Sequence, residues 1–500
     1  MRSRSWNRGA AAAFLAALSA FSLPQGAAAQ QMLSLDDALS LAMKNSPDIR
    51  HTRFQLEASE ARLRSQQASL KTQFGLTLGP ISYVNRNQFD EFFSTWYRYE
   101  SKNVAGQLSV QQPIKWTDGV LSLNNRFSWQ DSYSQATGGE SSKNYRNELY
   151  LQFDQPLFTY NRMKMDLGEL ELDFESSQLT YAIALLELER SVMNAFYSLY
   201  ETKMRLEINY DALETDREHH RIMQNKYDAG IGKLDDLTQA ETDMLSSEAT
   251  WNDTKVSLAN ALDRFKYLIG IPIDDDIDIA TDITFSPVGV DMDFAVKHGL
   301  ETRMELRSQE ISIAEAYNNV VRAGTTNEFR GDLSLVWGSS GTNPDLQNIY
   351  DKRVDEQSVS VSFDIPIWDW GQKKNNIRAS EIGYESEKLR LEENRTGIIM
   401  DIRESCRALD NLVQQIEIAR RRVESAEKTY EINLEKYQNG DLTSQLLGDY
   451  RQTLSNAKLS QIRTLIEYKL QLLDLKIQTL WDFENDRPVV TLTAQDSNKE

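Results

Sequence analysis

Residues 224–237 read QNKYDAGIGKLDDL, and residues 434–447 read LEKYQNGDLTSQLL. Each stretch carries Lys-Tyr-x-x-Gly with a leucine seven residues beyond the glycine, and the two lie 210 residues apart. On both sides the chain is charged and heptad-spaced, the pattern of long packed helices. Gly230 and Gly440 therefore mark a shared helix break. A helix stops readily on a left-handed residue just past its end, which glycine adopts without steric cost. Two ordinary helix stops would account for the glycines. They would not account for the agreement of the residues that follow.

That agreement runs far beyond the turns. A constant shift of 210 carries Phe153–Gly270 onto Phe363–Leu480 without a gap, so FDQPLF (153–158) meets FDIPIW (363–368) and FESSQL (174–179) meets YESEKL (384–389). Upstream, a shift of 257 joins DDALSLAMKNSPDIR (36–50) to DFAVKHGLETRMELR (293–307), and Leu76 and Leu78 to Leu333 and Leu335. The difference of 47 residues is an insertion in the first half, between about 80 and 147. The chain is thus a duplication. A first repeat spans 30–270, with a strand region about 74–158 and a helical hairpin at 162–270. An acidic linker, 271–290, leads to a second repeat at 291–480, with strands about 329–368 and a hairpin at 372–480. A polar tail, 481–500, reads as loosely ordered.

The long helices, 162–228 and 372–438, hold 67 residues each and reach ~100 Å at ~1.5 Å per residue. Leu185, Val192, Phe196, Leu199, Leu206, Tyr210 and Leu213 recur at three- and four-residue steps, interrupted by Glu189 and Lys203. On the returning helix Leu237, Met244, Trp251, Leu258 and Phe265 recur every seven residues, with small companions Ala240, Ser247, Thr254 and Ala261. Large-against-small seams suit close helix packing. The duplication predicts two antiparallel hairpins whose tips lie level.

The first 29 residues, with Arg2, Arg4 and Arg8 before an apolar run and small residues, predict a secretory signal peptide cut after Ala29. Removing those three arginines from 55 basic residues leaves 52 against 75 acids, net −23, which argues against nucleic acid as a partner. Cys406 is the one cysteine, so no disulfide forms within the chain, and under the 210 shift it takes the core position of Phe196. No later stretch offers the ~18 consecutive apolar residues of a membrane helix. The chain is then soluble in its compartment or crosses a membrane as strands. His219 and His220 point about 100° apart on a helix and read as a surface pair. No His/Cys cluster has metal-ligand spacing and no carboxylate pair suggests catalysis, so neither cofactor nor enzyme activity is expected.

Several stretches alternate with period two. In SVSVSFDIPI (358–367), Val359, Val361 and Phe363 face away from Ser358, Ser360 and Ser362. ELYLQFDQP (148–156) and LSLNNRFSWQ (121–130) alternate in the same way. Such alternation suits a barrel with a lipid face and a wet lumen, and equally a half-buried soluble sheet. Trp96, Tyr97, Tyr99, Trp337, Trp368 and Trp370 are candidate interface aromatics. The minimal strands lie near 74–84, 147–156, 329–338 and 357–366. Four strands cannot cover their own edges in lipid, so a barrel needs several copies. The insertion adds AGQLSVQQPI (105–114) and VLSLNNRFSW (120–129) around the hairpin turn KWTDG (115–119). Those strands either lengthen the barrel wall or fold outside it.

In their order, the opening LSLDDALSLAMKNSPDIR (33–50), the strand ends FDQPLF and FDIPIW, and the two KY..G tips resemble the outer-membrane efflux protein family of TolC-like export ducts, over almost all of residues 31–480. The resemblance implies a mainly α fold with a membrane β-barrel, built as a homotrimer with an α-helical barrel below the β-barrel and four strands from each subunit. It implies an outer-membrane location extending into the periplasm, with outer-membrane lipid, a periplasmic adaptor and an inner-membrane transporter as partners. It also implies a gate at the tips, where Tyr227, Gly230 and Gly440 lie. Asp236 matches an acid that locks the closed state, Tyr437 its tyrosine partner, and Asp449 one of two acids lining the entrance. Leu442 stands where the family has its arginine partner, and Leu446 replaces the other entrance acid. Asp236 and Asp449 also read as solvated acids near helix starts. The resemblance implies a passive duct for small-molecule efflux or protein secretion. A periplasmic coiled-coil scaffold or adhesin is the alternative, and it leaves the alternating strands without a role.

Overall fold

The structure, a computed structural model, describes residues 31–91, 94–135, 139–280, 284–439 and 441–489. The expected signal peptide, Gly440 and residues 490–500 lie outside them. The first half runs β1 (Gln31–Leu33), α1 (Leu35–Asn45), α2 (Pro47–Ser69), β2 (Gln73–Asp90), β3 (Thr95–Ile114), β4 (Gly119–Ser134), β5 (Ser141–Leu157), α3 (Arg162–Asp228), α4 (Leu234–Ile269) and β6 (Ile277–Ile279). The second runs α5 (Met292–Thr302), α6 (Met304–Gly324), β7 (Arg330–Asn343), β8 (Arg353–Asp364), α7 (Gln372–Gln438) and α8 (Ser444–Thr479), closing with β9 (Trp481–Asp482) and β10 (Arg487–Pro488). The shift of 257 carries α1 onto α5 and the start of α2 onto that of α6. The shift of 210 carries α3 and α4 onto α7 and α8 end for end. Among the described residues no helix is long and apolar enough to cross a membrane.

The chain divides into two compact units: a tip unit within residues 1–47, 188–286 and 415–467, and a strand unit within 48–187, 287–414 and 468–500. In the tip unit Val192, Phe196, Leu199 and Leu213 of the predicted α3 seam are buried, with Phe265 and Ile269 of α4. Phe196 meets Phe265 edge-on at 6.0 Å. Side chains of this size contribute ~1.5–3 kcal/mol each when fully buried. Lys203, which interrupts the seam, has its own partner: Nζ donates to both Asp278 oxygens at 2.7 and 2.8 Å. Asp278 belongs to β6, which pairs in parallel with β1. The acidic linker is therefore a strand at this point, with Ile277 and Ile279 buried. Gly270 ends α4 at φ 72°, and a Cβ there would stand 2.5 Å from the Asn45 carbonyl oxygen, so only glycine fits.

The strand unit carries one antiparallel sheet in the order β2-β3-β4-β5-β7-β8. This corrects the four strands expected per subunit: the inserted β3 and β4 sit inside the sheet, between β2 and β5. Helix starts below the sheet are capped by side chains. Asp369 accepts from the N–H groups of Gly371 and Lys373 at 2.9 and 3.0 Å ahead of α7, and those bonds hold its carboxyl below the usual range. Cys406 is buried, and burial pushes its thiol up, away from the reactive thiolate. Residues 481–489 are no loose tail. Leu480 is buried against Ala182, Leu186 and Met304, Val489 N–H donates to the Leu480 carbonyl at 2.8 Å, and Trp481 meets Phe294 and His298 edge-on. The aromatic and apolar residues at its root outweigh its polar composition.

Candidate functional site

At the tip of the first hairpin, the Gly230 backbone has φ 73°, and Ile231 and Gly232 N–H groups both return to the Lys226 carbonyl, at 3.0 and 2.9 Å. A Cβ on Gly232 would stand 2.8 Å from the Tyr227 nitrogen, so this glycine, too, is fixed by close approach. In the second hairpin Asp441 N–H returns to the Lys436 carbonyl at 2.9 Å, the same bond displaced by 210 residues. Leu237 and Leu447, seven beyond the tip glycines, are both buried. Tyr227, Asp236 and Asp449 are exposed, Asp236 in the first turn of α4 and Asp449 near the start of α8.

The two tips are not level. His219, nine residues before the end of α3, packs edge-on against Tyr437, one residue before the end of α7, with ring centroids 5.9 Å apart. The second hairpin therefore stops about two helical turns, ~10 Å, short of the first. Within one copy Asp236, in the first turn of α4, and Tyr437 make no hydrogen bond to one another among the described residues. The Tyr437 hydroxyl is shielded and has no hydrogen-bond partner among the described residues.

Ion pairs on helix flanks join the hairpins: the more exposed Arg463–Glu201 pair between α8 and α3, and a second, buried one. Arg451 of α8 forks onto Asp216 of α3, Nη1 to Oδ1 at 2.8 Å and Nη2 to Oδ2 at 3.1 Å. Nη1 also donates to the Ala212 carbonyl at 3.3 Å, and Ser247 of α4 donates to Asp216 Oδ2 at 2.5 Å. Asp216 is 8% exposed. A bidentate, charge-assisted contact of this kind is among the stronger polar bonds available to a protein. Sequence reasoning passed over Asp216 and Arg451, although a signal existed: they follow the buried Leu213 and Leu447 by three and four residues, on core-facing steps.

His219 is thus part of the helix contact rather than half of a surface pair. Its Nε2 is shielded and has no hydrogen-bond partner among the described residues. Burial lowers its pKa; Asp216 and Asp243 oppose the shift, while Lys226 and Arg451 reinforce it. The neutral form is the packed form. A depressed value means the contact is fully present above the ordinary pKa, about 6.5, and weakens as pH falls below it, because the unfolded state then binds more protons. The protection of amides at the α3–α7 contact, once exchange is corrected for its intrinsic slowing in acid, is expected to fall between pH 7 and 5, and His219→Phe to flatten that fall. Equal pH dependence in the two proteins would refute the assignment.

In the strand unit, cross-strand register places Phe74, Val110, Leu123, Leu151 and Trp337 in one row across β2, β3, β4, β5 and β7. The next row on that face includes Leu121, Phe153, Leu335 and Val359. The opposite face carries Gln111, Ser122, Gln152 and Ser358, interrupted by Val336. Leu123 and Leu151 are 43% and 38% exposed, while Ser122 and Asn124 on the polar face are 7% and 6% exposed. Polar groups there bond one another: Gln107 donates to Asn124 at 3.2 Å, and Ser334 to Asp154 at 2.7 Å. This sheet is inside out for water. An exposed apolar face, opposite a polar face that is shielded at its centre on β3 and β4, suits a wall between hydrocarbon and an aqueous lumen. Within one copy β2 and β8 each have a partner on one side alone among the described residues.

A model of the outer membrane efflux protein family matches residues 38–270 and 296–476. Toxin and drug export protein A of Aggregatibacter actinomycetemcomitans is 20% identical over 334 residues, which are 65% of this chain and 66% of that protein. Outer membrane protein TolC of Escherichia coli (strain K12) is 20% identical over 373 residues, 71% of this chain and 73% of its own length. Among solved structures, the Campylobacter jejuni CmeC outer membrane channel superposes with a TM-score of 0.69 at 17% identity, covering 93% of this chain and 88% of that one. The match to the first of these relatives spans about two thirds of its length.

Proposed function

The chain belongs to the outer membrane efflux protein family, and from that premise we propose that it is the passive outer-membrane duct of a tripartite export system. Three copies close one barrel in the outer membrane and one helical tunnel in the periplasm. An inner-membrane transporter supplies the energy and reaches the helix tips through a periplasmic adaptor. The cargo is small molecules or secreted protein, and no chemical step is assigned to the duct. The observation that carries this reading is the inside-out sheet whose edge strands β2 and β8 each lack a second partner among the described residues. Unpaired strand edges are untenable in hydrocarbon, so the sheet requires neighbouring copies. A coiled-coil scaffold has no use for such a surface.

In the duct the tips form the gate, with Tyr227, Gly230, Gly440 and Asp449 at or near the entrance and Asp236 at the first tip. The Asp216–Arg451 fork takes over the holding role of the arginine missing at Leu442. The test is reconstitution. Detergent-extracted protein is expected to migrate as a heat-modifiable trimer and to conduct ions in planar bilayers. Protein that stays in the aqueous fraction after membranes are pelleted, and never conducts, would overturn the reading.

A further inference from the structure

Resting on the trimeric duct proposed above, we infer that the barrel wall has eighteen strands, six from each copy, rather than the twelve that four per copy would give. The first ground is continuity. β3 pairs β2 on one side and β4 on the other, and β4 runs in register with β5 from Val120↔Asp154 to Tyr133↔Ser141. A hairpin lying outside the wall would leave β2 paired directly to β5. Here the two have two strands between them.

The second ground is chemistry. Val110 and Leu108 of β3, and Leu121, Leu123 and Phe127 of β4, fall on the apolar face shared with Leu151 and Trp337. Gln107, Ser122 and Asn124 fall on the shielded polar face. A strand pair inside the lumen or against the outside of the wall would not repeat the wall's own alternation. At 20 and 16 residues, both strands exceed the ~9–11 residues needed to span a bilayer.

The third ground is the turn. Four strands of each copy, β2, β5, β7 and β8, join helices at one end of the sheet. The β3–β4 turn joins none, and is instead fastened to the β5–α3 junction. Asp118, at φ 64°, accepts the Met163 N–H at 2.9 Å, beside the start of α3. Asn161 donates to the Lys115 carbonyl at 2.7 Å and Gln155 to the Thr117 carbonyl at 2.6 Å. These bonds hold the turn at the height of the strand–helix junction, where a wall strand must end. Adding two strands per copy keeps the count even and the neighbours antiparallel. Six added strands lengthen the circumference by ~29 Å before tilt, at ~4.8 Å per strand, and widen the barrel by about half at equal tilt.

End-on electron-microscopy reconstruction of the full-length trimer tests this directly, with eighteen wall strands expected. A membrane-embedded trimer with a twelve-strand wall and a detached β3–β4 hairpin overturns the inference and leaves the duct intact. Failure to trimerise or to enter membranes overturns both. In a second experiment, removal of Thr95–Ser134 leaves β2 and β5 antiparallel and able to pair. The shortened trimer is expected to exclude, from the extracellular mouth, polyethylene glycols that partition into the full-length barrel. An unchanged size cut-off counts against a wall position for the hairpin.

Discussion

Replacing Arg451 by alanine is expected to raise the conductance of the closed pore sharply while leaving the sheet and its trimer in place. Asp216 lies almost wholly out of solvent, held by the two guanidinium bonds and by Ser247. Losing the cation strands a carboxylate with one hydroxyl donor, and breaking a buried pair from one side costs ~3–5 kcal/mol. The protein can avoid that cost by letting the second hairpin leave the flank of α3, which rehydrates Asp216. With ~1.4 kcal/mol to a decade, the open population then rises by ~10²–10³-fold or more. Arg451→Lys keeps the charge but loses the fork and is expected to fall between. Replacing both Asp216 and Arg451 by leucine removes the stranded charge and is expected to restore much of the closed state, because apolar substitutes for buried pairs are often neutral. A closed conductance unchanged in Arg451→Ala would show that the fork holds nothing.

The position of that fork shows where sequence reading reaches its limit. Helix extents were legible because they follow from local rules: heptad spacing, the tip glycines, and a repeat that carries α3 onto α7 and α4 onto α8 at fixed offset. The six-strand sheet was only half legible. KWTDG announces a hairpin, but which strands flank it depends on pairing with β2 and β5, and that information is non-local. The stagger of the tips was not legible at all. Two repeats with the same residues at the same offset predict level tips, and the axial slide between them is decided by contacts such as His219 on Tyr437 and Arg451 on Asp216. In a chain with 26% charged residues, one acid and one base on long helices look like solvated surface. Their burial depends on which helix lies opposite. The pairing of Asp236 with Tyr437 that the resemblance implies is not made within one copy among the described residues, where Tyr437 packs on His219 instead.

A charge placed on the apolar face of the sheet is the second large effect. Leu151 sits mid-way along β5, in register with Leu123 on one side and Trp337 on the other, and is 38% exposed. If that face meets hydrocarbon, Leu151→Arg puts a guanidinium near the bilayer centre at ~2–4 kcal/mol per copy. In the proposed trimer all three copies carry the substitution, so recovery of heat-modifiable trimer from outer-membrane fractions is expected to fall by an order of magnitude or more. The neighbouring change Gln152→Arg falls on the polar face, where Gln152 donates to both Asp154 oxygens at 3.0 and 2.8 Å. An arginine there keeps an acidic neighbour and a wet surrounding, so assembly is expected to persist while ion selectivity shifts away from cations. The contrast between adjacent residues is the informative part. On a sheet whose apolar face met water, Leu151→Arg would replace an exposed leucine at a cost within ~0.5 kcal/mol, and Gln152→Arg would be the more disruptive of the two. Equal recovery of both variants, or the reverse order, would mean that the face crossing Phe74, Val110, Leu123, Leu151 and Trp337 does not meet lipid.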